Sequence, residues 1–199
     1  MEDHARQEKR NQGKVMDCAA EDPSSSHFVH SVHFSRLCDW SFVYRARLNL
    51  LRLSVARPWA RASDQRCRVG GYAEETHPHA LCHCMSRSSA YTSRHNKIVD
   101  QVKTTPAKKF MVAHEKQPVG ETTPHPVLAL ATGGEAIIIE VTCTLKNRLE
   151  ALEAARQANV YKYKPIREYL VCRYQRVSIE AIVIGALDSW DPVNDRLLI

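Results

Sequence analysis

The sequence predicts an α+β protein: a helical N-terminal segment and a small Cys/His knuckle, followed by a small mixed-sheet α/β domain. Three observations carry this expectation. Apolar residues recur at spacings of 3 and 4 in residues 37–53 and again in 86–103, the period of amphipathic helices. Between them, residues 61–85 are rich in Cys, His, Gly and Pro and have no periodicity. Further on, two β-branched or apolar runs, 136–143 (AIIIEVTC) and 178–187 (SIEAIVIGAL), bracket two stretches of helical character.

Taken in order, residues 1–60 read as a helical linker segment. Its first part is polar and contains the turn signal 23–26 (PSSS). In 37–53, Leu37, Trp40, Val43, Tyr44, Leu48 and Leu51 form the stripe, flanked by Arg45, Arg47 and Arg52, and Pro58 is the expected stop. Residues 61–105 hold the Cys/His region and a helix whose stripe is Tyr91, His95, Ile98, Val99 and Val102. Residues 106–126, with four prolines, read as a linker. Residues 127–199 read as the α/β unit. An apolar run at 128–131, the hairpin signal 132–135 (TGGE) and the run 136–143 come first. Helices over 147–161 and from Pro165 follow, then the strand 178–187, then a short helix opened by Asp191-Pro192.

Charge and cysteine content narrow the class of function. The net charge is +6, and it is uneven. Residues 106–199 hold 12 of the 28 Lys/Arg and 11 of the 22 Asp/Glu, which leaves 16 against 11, or +5, in the first 105 residues. A grip on a phosphate backbone therefore belongs to the first half, with Arg45, Arg47 and Arg94 as candidate contacts. Seven cysteines without a framework spacing, and no apolar run of signal-peptide or membrane-spanning character, predict a reducing compartment, nucleus or cytoplasm, and no membrane partner. In such a compartment clustered Cys and His are read as metal ligands first.

The cluster runs from Cys67 to Cys84. Zinc takes four soft or borderline donors in a tetrahedron, and such sites usually open with Cys-x2-Cys. Here Cys67 stands first and Gly70 occupies the second position. His79 and Cys84, with four residues between them, make the second pair; His77, Cys82 and His83 are spare donors. The alternative is a loop of Cys and His that holds no metal.

Glu140 is the single charge in the 136–143 run. A strand buried on both faces offers a carboxylate no cheap environment, and a metal cation is one remedy. Paired carboxylates holding Mg²⁺, with a lysine nearby, are how many nucleases activate water and stabilise the leaving oxygen. The alternative is a glutamate facing solvent at a strand end.

These stretches, in this order, resemble the C-terminal region of site-specific non-LTR retrotransposon polyproteins of the kind that insert into ribosomal RNA genes. The segments that carry the resemblance are 42–49 (FVYRARLN), Cys67-Arg68-Val69 with Glu75-Thr76 and His79…Cys84, 94–99 (RHNKIV), 139–142 (IEVT), Lys162-Tyr163-x-Pro165 and 185–192 (GALDSWDP). They cover residues 13–199. The resemblance implies a Cys-Cys-His-Cys zinc knuckle followed by a restriction-enzyme-like endonuclease of the PD-(D/E)xK type. That domain nicks target DNA for target-primed reverse transcription, with DNA and element RNA as partners and Zn²⁺ and Mg²⁺ as cofactors. It assigns Cys67, His79 and Cys84 to zinc and Glu140 to magnesium and catalysis. The sequence departs from the pattern at three places. Gly70 replaces a knuckle cysteine, Val127 follows Pro126 where the family has the motif aspartate, and Asn159 takes the place of the family lysine, leaving Lys162 as the nearest one. No Tyr-x-Asp-Asp polymerase motif is present, so the resemblance implies a terminal piece of a longer polyprotein with an impaired nuclease. A non-catalytic nucleic-acid-binding module and a pseudogene fragment without a selected role stand as the other readings.

Overall fold

A computed structural model describes residues 18, 22–26, 36–56, 64–104, 111–115, 128–145 and 148–198. The motif position Pro126-Val127 and the histidines at 4, 27, 30 and 33 lie outside the described residues. The chain is α+β, with several helices and a small mixed sheet. It divides into two compact units. One is Met1–Ser93 with Thr144–Leu149 and Gly185–Trp190; the other is Arg94–Cys143 with Glu150–Ile184 and Asp191–Ile199. This division cuts across the boundaries drawn from sequence, because residues distant in the chain join each unit.

In the first unit, helix α1 spans Leu37–Arg47. It stops well before residue 53. Asn49 adopts φ 58°, its amide donates to the Ala46 carbonyl, and the Leu50 amide reaches back to the Arg45 carbonyl at 2.8 Å. This is a Schellman ending, and Asn tolerates the left-handed residue it requires. None of the expected stripe residues is buried: Leu37 is 80% exposed and Tyr44 is exposed, while Trp40, Val43, Leu48 and Leu51 are half-buried, and the buried residue of the helix is Ala46, outside the stripe. Trp40 and Tyr44 stack on each other at 5.2 Å. Ser25, fully buried, receives the Trp190 amide on its hydroxyl at 2.9 Å and donates to the Trp190 carbonyl, pinning the turn Pro23–Ser26.

Helix α2, Ser88–Thr104, leads into the second unit. There the sheet has strand order β1-β2-β3-β4: Met111–Glu115, Leu128–Thr132, Glu135–Thr144 and Arg176–Gly185. The linker expected over 106–126 therefore contains a strand. β1 pairs antiparallel with β2 through an irregularity between Val112 and His114. Five residues with a break in register leave too weak an alternation to read from sequence. The β2–β3 hairpin turns on Gly133 and Gly134, both at positive φ, as a two-residue hairpin demands. β3 and β4 run parallel. The Arg176 amide donates to the Gly134 carbonyl at one end and the Ala186 amide to the Thr144 carbonyl at the other. The crossover between them is α3, Leu149–Lys162, and α4, Lys164–Leu170.

Alternation along β3 feeds two cores. Ile139 and Val141 point to one face, where Val99 and Val102 of α2 and Ile182 of β4 meet them. Ala136 and Ile138 point to the other, against Tyr163, Ile166, Leu170 and Val177. Each fully buried aliphatic side chain contributes about 1.5–3 kcal/mol. The α2 stripe is as the sequence predicts, with His95 half-buried and its Nε2 3.1 Å from the Val141 carbonyl. Asp191 caps the turn Pro192–Asn194 by accepting from the Val193 amide at 3.0 Å, and helix α5, Asp195–Leu198, follows. Cys143 is half-buried, and Cys172 is exposed beyond the end of α4; the sequence alone suggests small core residues at both positions, which fails for Cys172.

Candidate functional site

The knuckle is built from one tight turn and one wide helical turn. The Cys67 amide bonds the Tyr72 carbonyl at 2.7 Å and the Gly71 amide bonds the Cys67 carbonyl at 2.8 Å. Gly71, at φ 65°, makes this reversal possible. The Gly70 amide points at the Cys67 sulfur from 3.4 Å. With the Val69 amide beside it, it holds the Cys67 thiol down at about 7, toward the thiolate that metals bind; His79 and Cys84 add smaller contributions. The second half is a π-turn, His79–His83, in which the Cys84 amide reaches the His79 carbonyl five residues back at 2.8 Å. That wide turn brings two residues of i,i+5 spacing to one side, which an α-helix would not. The Tyr91 hydroxyl fastens it by donating to the Ala80 carbonyl at 2.8 Å.

The result is that Cys67, His79 and Cys84 converge. One ligand atom from each lies within 4.8 Å of the others, and all three residues are buried. The two sulfurs are 3.8 Å apart. His79 is 7% exposed, its Nε2 is buried without a hydrogen-bond partner, and Tyr72 stacks on its ring at 4.6 Å. A buried imidazole nitrogen without a partner is costly unless something binds it. A borderline-soft cation answers that cost, so the donor set fits a zinc-type ion, which would be held by Cys67, His79 and Cys84. Bound there, such a metal supplies a crosslink between the two turns. Among the described residues this is the one group of three or more such ligands; His77, Cys82 and His83 are not in it.

Glu75, quoted with Thr76 in the resemblance, ties the knuckle to the chain after α1. It is 4% exposed and receives the Ser54 amide at 2.8 Å, the Ser54 hydroxyl at 2.9 Å and the Arg68 Nε at 3.0 Å. Burial pushes its carboxyl up, but these three donors outweigh it and hold the group below the usual glutamate value. Sequence reasoning gave Glu75 no role; a lone acid beside a zinc-type loop carries no periodic signal.

The second constellation lies on the α3–α4 face of β3. Glu140 is 8% exposed, so the solvent-facing alternative fails. The Tyr163 hydroxyl donates to Glu140 Oε2 at 2.8 Å, and Lys162 Nζ lies 3.6 Å from Oε1 and donates to the Tyr163 hydroxyl at 2.9 Å. Burial and the neighbouring Glu140 push the Tyr163 phenol far above its ordinary value, so it stays a donor. Thr142, two residues on and on the same face, accepts from Asn159 Nδ2 at 2.7 Å. The structure thus brings Glu140 and Lys162 together, with Asn159 of α3 bonded to Thr142, two positions along the strand from Glu140. One carboxylate with a phenol and an ammonium does not fit Mg²⁺, which takes near-octahedral oxygen coordination.

Of the three arginines proposed for nucleic acid, Arg45 is exposed on α1 and Arg94 is half-buried on α2. Arg47 is already engaged: it donates to the Leu187 carbonyl at 2.8 Å, to the Ser26 hydroxyl at 3.2 Å and to the Ser25 carbonyl. A guanidinium bound to three protein oxygens is a structural tie and is poorly placed for phosphate. Asp191, within 185–192, is likewise held in a structural network. Arg156, 8% exposed, donates to the Ala181 carbonyl, the Asp191 carboxylate and Asn194 Oδ1, and Asn194 in turn pairs with both the amide and the carbonyl of Val183. No helix among the described residues is long and apolar enough to cross a membrane. No family model and no curated protein matches this chain.

Proposed function

We propose that the chain is the tail of a site-specific non-LTR retrotransposon polyprotein. On this reading a zinc knuckle precedes a PD-(D/E)xK-type domain whose DNA-nicking chemistry for target-primed reverse transcription is impaired, and what remains is nucleic-acid binding. The observation that carries it is the setting of Glu140. A carboxylate on the central part of β3, buried beside a lysine and facing the crossover helices, is the remnant expected of such a nuclease. Its oxygens face Tyr163 and Lys162, and it belongs to no ligand cluster among the described residues. With Val at 127 and Asn at 159, the acid and the lysine that would complete the site are substituted.

The binding reading draws on charge. The +5 balance of the first 105 residues favours a polyanion, and exposed Arg45 is free of the structural duty that Arg47 carries. DNA and the element's RNA are the partners this implies. Affinity of that origin falls linearly in log terms with added salt, because each phosphate contact releases counterions.

The test is direct. The chain is incubated with supercoiled plasmid and Mg²⁺ or Mn²⁺, and its binding to duplex and single-stranded DNA is followed as salt is raised. The expectation is no metal-dependent nicking and a steep loss of binding with salt. Nicking that Glu140→Gln abolishes would overturn the impairment. Binding indifferent to salt, or none at low salt, would leave no ground for a nucleic-acid module.

A further inference from the structure

We infer that the knuckle's metal site is open at Gly70 and takes its fourth donor from outside the chain, a small soft ligand of the thiol or imidazole class. This rests on the metal-binding reading of Cys67, His79 and Cys84. Structural zinc sites are closed by four protein ligands, whereas a three-ligand set leaves one exchangeable position. Two thiolates and one imidazole form such a set here.

The direction of the vacancy is defined by the backbone. A Cβ placed on Gly70 would lie 3.3 Å from Cys84 Sγ and 3.9 Å from Cys67 Sγ. A side chain at this position would therefore press on the donor cluster itself, against the Ser86 hydroxyl at 3.2 Å and the Cys84 sulfur, and glycine leaves that edge of the cluster without one. Gly70 is not among the glycines at positive φ, so its backbone is one that any residue adopts. The loop beside the buried donors faces solvent. Gly70 and Gly71 are exposed, nothing lies within 4 Å of a Cβ on Gly71, and Val69 beside them is 51% exposed. The nearest group at the rim is the Ser86 hydroxyl, 3.2 Å from the Gly70 Cβ position, a neutral partner for a polar end of an incoming ligand. The spare donors do not reach in: Cys82 and His83 are outside the cluster, and His83 is exposed. Soft thiolate and imidazole donors suit an ion already bound by sulfur and nitrogen.

Cobalt(II) tests this, because its visible absorption reports ligand number and type. The reduced full chain is loaded with Co²⁺ and then titrated with imidazole and, separately, with 2-mercaptoethanol. The expected result is one bound ion whose ligand-field bands shift saturably with either additive. Gly70→Cys should bind the ion more tightly, gain sulfur-to-metal charge-transfer absorption and lose the response to both additives. The wild-type titration decides the matter even if that variant fails to fold. A bound ion whose spectrum ignores both additives means the chain closes its own site, and the open position is refuted while the metal reading stands. No binding by the wild-type chain, or binding that survives Cys67→Ser, refutes the metal reading and the inference with it.

Discussion

Replacing Asp191 by alanine should cost the sheet unit a large share of its stability. Asp191 is 4% exposed and faces Arg156, itself 8% exposed, and it also caps the turn Pro192–Asn194 through the Val193 amide at 3.0 Å. Removing one partner of a buried pair leaves the other charge without compensation, at about 3–5 kcal/mol. Loss of an N-cap adds about 0.5–2 kcal/mol. Arg156 keeps the Ala181 carbonyl, Asn194 and, at 3.8 Å, Glu153, which argues for the low end of the pair term. A total near 4 kcal/mol follows, out of the roughly 5–15 kcal/mol that a domain holds. Urea unfolding followed by far-UV circular dichroism measures it as a lower midpoint at unchanged slope. The double variant Arg156→Met, Asp191→Leu should be less costly than Asp191→Ala alone, since an apolar pair leaves no buried charge. A loss below about 1 kcal/mol for Asp191→Ala, or a double variant worse than the sum of its singles, would refute the network as the role of this motif.

Other changes have outcomes of known sign. Glu75 is held below its unfolded value of 4.5, so its contribution is complete above that value and is lost as pH falls beneath it. Glu75→Gln should therefore destabilise the knuckle unit at neutral pH and flatten the acid limb of its stability profile; an unchanged profile would contradict the assignment. Tyr163→Phe removes the hydroxyl that donates to buried Glu140 and should cost about 1–3 kcal/mol. In the wild-type protein, absorbance titration should find Tyr163 ionising after the exposed tyrosines, and simultaneous ionisation of all seven would count against the contact. Gly185→Ala places a Cβ 2.6 Å from the Ser189 side chain, so a loss of about 1–3 kcal/mol is expected from overpacking, read as a lower melting temperature.

What the sequence revealed, it revealed where local chemistry and tertiary structure agree. The AIIIEVTC run, the Gly-Gly hairpin and the α2 stripe each depend on neighbours a few residues away, and each is found as expected. The candidate metal donors were legible for the same reason: Cys67, His79 and Cys84 are the ones that fit a known spacing, and they are the ones that converge. The failures share a different cause. β1 exists through hydrogen bonds to β2, which the sequence of 106–126 does not record. α1 ends at a left-handed asparagine, a backbone choice that the apolar spacing through 53 hides. Arg47 carries a cation in a basic stretch, and only the fold brings the Leu187, Ser25 and Ser26 oxygens to it.

Two residues that read as defects in the sequence, Gly70 and Asn159, occupy different physical situations. Asn159 is accommodated. Its amide donates to Thr142 on the Glu140 face, so the position is filled by a short, neutral hydrogen-bonded pair. A lysine restored at 159 would have to displace that bond and would still find a single carboxylate already in contact with Tyr163 and Lys162. Gly70 is not accommodated in that sense. The amide that approaches Cys67, the paired sulfurs and the buried His79 ring stand beside it, and a side chain there would press on Cys84 Sγ and the Ser86 hydroxyl.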